Sequence, residues 1–94
     1  MTTTALTTTA LTAARAEALF TSHLATGSRP AYEVVQDAIR VAVRVHGGVR
    51  GCAGDVAAEY GHHPELAVPR MRWARDVVEQ LYEQQPAGAR TPAP

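Results

Sequence analysis

The sequence predicts an all-α fold, a small bundle of four helices whose last two form a helix-turn-helix-like pair. Three observations carry that expectation. Apolar residues recur at spacings of three and four through the middle of the chain, Gly and Pro interrupt those runs, and nothing in the chain reads as a strand. Ninety-four residues allow one domain. Hydrophobic residues make up 46% of it, but 18 of them are alanine, with only one Phe, one Trp and three Tyr. Alanine favours helix and buries little apolar area, so the core is small. Domains of this size gain stability by association, which makes a homodimer a candidate state.

Each element follows from a local pattern. TTTAL occurs twice in residues 2–11; polar and β-branched, it reads as a disordered Thr-rich arm over residues 1–11. The helical domain is expected over residues 12–84, and residues 85–94, rich in Pro and Ala, read as a disordered tail. The first helix is expected near residues 13–25, with Ala16, Phe20 and Leu24 one turn apart and Leu19 beside them. Gly27-Ser28-Arg29-Pro30 ends it and starts the next. The second is expected near residues 31–46. Its Val34, Val35, Ala38, Ile39, Ala42, Val43 and Val45 cover more than half the circumference, the mark of a helix that is central in the bundle or buried on two sides.

Gly47-Gly48 ends that helix, and Gly51 reads as the same punctuation. The third is expected near residues 52–60, with Gly61 as a left-handed residue after its end. The fourth is expected near residues 63–84. Pro64 suits its first position, and Glu65 places negative charge at the positive end of the dipole. Ala67, Met71, Ala74, Val78 and Leu81 form its apolar stripe, widened by Leu66, Trp73 and Val77.

Charge and cysteine usage narrow the function classes. Nine arginines balance nine acids with no lysine, so a nucleic-acid partner requires local clustering of the basic residues. A single cysteine excludes an internal disulfide. The opening MTTTALTTTALTAARA lacks the basic and apolar regions of a signal peptide, and no run approaches a membrane span. The expected location is the cytoplasm, with no membrane partner.

The stretch DVAAEYGHHPELAVPRMRWARDVVEQL is the most informative. Gly61-His62-His63 makes a tight connection between two helical patterns, Ala57 is small enough for a close helix contact, and Gly61 tolerates positive φ. Val56-Ala57 and Tyr60-Gly61 in the first helix, with Arg70-Met71 and Ala74-Arg75 in the second, resemble the helix-turn-helix of sigma-factor region 4 over residues 55–81. The resemblance implies binding of a DNA duplex through the second helix and a role in transcription. Val68 and Pro69 stand where that family places polar or basic residues. On a helical wheel the outward arc carries Glu65, Val68, Pro69, Arg72, Arg75, Asp76 and Glu79, while Arg70 falls toward the buried side.

The expected DNA- or partner-binding residues are therefore Glu65, Val68, Pro69, Arg72 and Arg75, with Arg40, Arg44 and Arg50 as accessory basic contacts. No catalytic, cofactor-binding or metal-binding residues are expected. His46, Cys52, His62 and His63 lack zinc-ligand spacing, and no phosphate loop or nucleophile motif occurs. Cys52 reads as a small apolar contact. Together these features predict a small non-enzymatic regulator that binds DNA in transcription. The alternative is a helical protein-interaction module, a homodimer or an adaptor for another regulator.

Overall fold

In the computed structural model, which describes residues 3–83, four helices follow one another: α1 (Thr3–Thr21), α2 (Tyr32–Val45), α3 (Gly48–His62) and α4 (Pro64–Val78). α4 runs on into a wider π-type turn at Glu79–Glu83. No strand occurs among the described residues, and the fold is all-α. None of the described helices is long and apolar enough to cross a membrane.

α1 and α3 each pack against all three other helices, whereas α2 and α4 each pack against α1 and α3. The inner helices are therefore α1 and α3, not α2 as the apolar count on α2 suggested, and α1 contributes the more buried residues of the two. Composition explains the exchange. Ala16, Leu19 and Phe20 are buried in one cluster with Val35, Val56, Ala67, Trp73, Ala74, Val77 and Val78. Ala18, on another side of the helix, is buried in a second cluster with Ala42 and Cys52. Small side chains on two sides of one helix let neighbours approach from both, so the alanine-rich helix takes the middle. α2 lies outside it, with Val34, Val41 and Val45 left exposed.

α1 also starts earlier than expected. It begins at Thr3 and so takes in residues assigned to an arm over residues 1–11. Once its C-terminal half is fixed in the core, each added helical residue gains one hydrogen bond without a new nucleation cost, and nothing in TTTAL breaks a helix. The expected tail, residues 85–94, lies outside the described residues.

The connection between α1 and α2 is tied down from α4. The Arg70 guanidinium donates from Nε to the Phe20 carbonyl at 2.7 Å, from Nη2 to the Ser22 carbonyl at 2.9 Å and from Nη1 to Thr26 Oγ1 at 2.7 Å. Two of these acceptors are free carbonyls at the end of α1, where the dipole favours a cation. Trp73 Nε1 donates to the Ser28 carbonyl at 2.8 Å, and Arg29 pairs with Asp76 at 3.1 Å. Arg70 is thus a structural clamp, seated 4.9 Å from the Trp73 ring centre. Burial pushes its pKa below the usual arginine value.

Glycines shape the turn between α2 and α3. Gly47 and Gly48 have φ of 83° and 89°, a region that disfavours any side chain. Gly51 is not punctuation: it lies inside α3, where a Cβ would strike the backbone carbonyl of His46. His46 Nδ1 pairs with the Asp55 carboxylate and clasps the two helices across the turn.

Candidate functional site

The α3–α4 joint is a single residue. His63, at φ −139° and ψ 65°, donates its N–H to the Glu59 carbonyl at 2.7 Å and accepts from the Ala67 N–H at 2.9 Å, ending one helix and starting the next. Gly61 therefore does not serve as the left-handed turn residue; it lies in the last turn of α3 and has no positive φ. Ala57 is exposed and does not face a partner helix. Cys52 and Val56, one turn apart, supply the inner face of α3, and Phe20 stacks with Tyr60 at 6.3 Å. α3 faces inward through larger side chains because α1 already provides the small ones.

All five expected contact residues of α4 reach the surface: Glu65, Val68, Pro69, Arg72 and Arg75 are exposed. Leu66, expected as core, is 61% exposed. It lies in the first turn, at the edge of the apolar arc, and lines an open hollow with Phe20, Ala58 and Glu59. α4 continues through Pro69 without a break. Glu65 lies 3.8 Å from His63 Nδ1.

The arginines separate into three roles. Arg70 is consumed by the α1 clamp. Arg29 is neutralised by Asp76. Arg72 and Arg75, three residues apart and exposed, have no hydrogen bond or ion pair among the described residues. Arg40 and Arg44 stand on α2 and Arg50 in the first turns of α3; α2 packs on α1 and α3, so these three belong to a different wall from the exposed face of α4. Arg40 pairs with Asp37 at 2.6 Å.

Two shallow grooves run along the open side of α4 and meet at Tyr60, Met71, Arg75 and Glu79. One continues over Val68, Pro69 and Arg72 toward the α1–α2 connection, the other along α1 past Leu11 and Arg15 to Tyr82. Tyr60 and Met71 are the groove residues that pattern reading missed. Tyr60 was legible only as part of a helix match, and Met71 sits on the core stripe, half-buried at its edge. Arg15 lies over the Tyr82 ring at 4.1 Å. Burial, followed by the neighbouring Tyr32, raises the Tyr82 pKa, with Arg15 acting in the opposite direction.

Cys52 is fully buried, its Sγ 3.7 Å from the Ala42 carbonyl and from Thr21 Oγ1. Among the described residues no three His, Cys, Asp or Glu side chains are grouped to hold a metal ion. In comparison with known proteins, the chain matches no family model, no curated protein and no solved structure.

Proposed function

We propose that this protein is a small non-catalytic regulator that binds another protein through the open face of α4. The partner offers an apolar segment carrying acidic residues. One observation carries the reading: Val68, Pro69, Tyr60 and Met71 line one groove in which Arg72 and Arg75 have no ion-pair partner among the described residues and outnumber the one unpaired acid, Glu79. An apolar centre with aromatic, Met and Arg side chains at its edge is the composition of a protein interface. Two unpaired cations beside an apolar floor favour an acidic, amphipathic ligand.

Duplex DNA is the second reading, supported by the free Arg72 and Arg75 on the second helix of the α3–α4 pair. Against it, Glu65 and Glu79 flank that face, Arg70 is withdrawn into the fold, and the chain has no net basic charge. Phosphate neutralisation is the main source of DNA affinity, and this face offers little of it.

Selection from a displayed peptide library and from a random duplex pool, both at physiological salt, separates the two. Peptides rich in apolar and acidic residues should be recovered, and each should lose about tenfold or more in affinity to Val68→Asp and to the Arg72→Ala, Arg75→Ala pair. A duplex motif that depends on the same arginines, with no such peptides, would establish the DNA reading instead.

A further inference from the structure

The outer face of α2, turned away from α1 and α3, has no cover among the described residues. Val34, Val41 and Val45 are 47%, 40% and 69% exposed. At 100° per residue they fall within about 40° of arc, one apolar stripe along the whole helix. Asp37 and Arg44 both lie beside that stripe on the same side, two turns apart, and both are exposed. Arg44 has no ion-pair partner among the described residues, and Asp37 engages only Oδ1, with Arg40.

We infer that α2 pairs antiparallel with α2 of a second copy of this chain, around a two-fold axis near residue 40. A two-fold that reverses the helix direction keeps each flank opposite its own copy. Val34 then lies against the partner's Val45, and Val41 sits beside the axis against its own copy. On one flank, Asp37 faces the partner's Arg44 and Arg44 faces the partner's Asp37. The stripe is complementary to itself in both shape and charge, which an unrelated partner would have to match separately. Zero net charge removes the overall repulsion that would oppose two copies meeting.

The contact is short. Fourteen residues of helix extend about 21 Å, below the span of a standard interface, so the dimer is expected to dissociate in the micromolar range. Valine burial is its main source of affinity; the exposed ion pairs set direction and register.

Sedimentation equilibrium of the full chain from about 0.1 μM to about 1 mM tests the assignment. The mass should rise from one chain to two. Val41→Asp should raise the dissociation constant about a hundredfold, since the change is felt twice, once in each copy. Val45→Asp, at the more exposed position, provides a second variant, and circular dichroism confirms that both retain the helical fold.

The charges give the sharper test. Asp37→Arg leaves two cations on the flank and Arg44→Asp leaves two anions, so each variant alone should dimerise more weakly than the wild type. An equimolar mixture of the two should recover a dimer, because each then presents what the other lacks. A wild-type monomer throughout the range would overturn the proposal. So would a dimer indifferent to Val41→Asp and Val45→Asp, or a mixture no more associated than its components. Val68→Asp on α4 should leave the dimer intact, which keeps this result separate from the proposed α4 partner.

Discussion

Replacing Arg70 with alanine should remove much of the stability of the fold. Its guanidinium makes three hydrogen bonds, to Phe20, Ser22 and Thr26, between 2.7 and 2.9 Å. Bonds of this charged kind contribute roughly 1.5–3 kcal/mol each, a gross sum of about 4.5–9 kcal/mol. The guanidinium is only part-buried, and the released carbonyls regain water, so a net loss of about 3 kcal/mol is expected. A domain of this size has a total reserve of roughly 4–12 kcal/mol. At about 4–8 °C per kcal/mol, the midpoint of thermal unfolding should fall by about 12–24 °C. Helical ellipticity and Trp73 fluorescence, followed together on heating, measure it. Arg70→Lys keeps a cation near the end of α1 but loses the planar fork, and should fall between wild type and Arg70→Ala. A midpoint for Arg70→Ala within about 3 °C of wild type would refute the clamp.

Three further outcomes are expected. Gly51→Ala should destabilise the fold by about 1–3 kcal/mol, because its Cβ meets the His46 carbonyl, whereas Gly54→Ala and Gly61→Ala, with open space and ordinary φ, should each stabilise by about 0.5–1 kcal/mol. Denaturant midpoints distinguish these, and a destabilised Gly61→Ala would restore the left-handed turn inferred from sequence. Pro69→Ala returns a helical donor to the Glu65 carbonyl and should stabilise by about 1–2 kcal/mol after the gain in unfolded-chain freedom is subtracted, while weakening partner binding through loss of the exposed ring. A lower unfolding midpoint would show that the ring supports the fold. Tyr82 has a raised pKa, so folding favours the neutral phenol. Its contribution is complete below the ordinary value near 10 and is lost as pH rises through the higher folded value. Stability measured between about pH 9 and pH 11.5 should decline less in Tyr82→Phe than in wild type; equal declines would remove Tyr82 as the cause.

The four helices were legible in the sequence, because a 3.6-residue apolar period and its Gly and Pro breaks are local properties. The sequence also placed the stripe of α4 and the turn at Gly47-Gly48, and it put Glu65, Val68, Pro69, Arg72 and Arg75 on the surface, since a wheel needs only the axis of one helix. Which helices lie innermost depends on the packing of the whole chain. Periodicity ranks faces by hydrophobicity, but close approach on two sides favours small side chains, and so α1 took the place that the valines of α2 appeared to claim. That packing also divided the arginines: Arg70 and Arg72 are two residues apart, yet one reaches carbonyls about fifty residues away in the chain and the other stays free. Ala57, Gly61 and Leu66 differ from their expected roles for the same reason. What a residue faces depends on where neighbouring helices begin and end, and that is set by the packing of the whole chain.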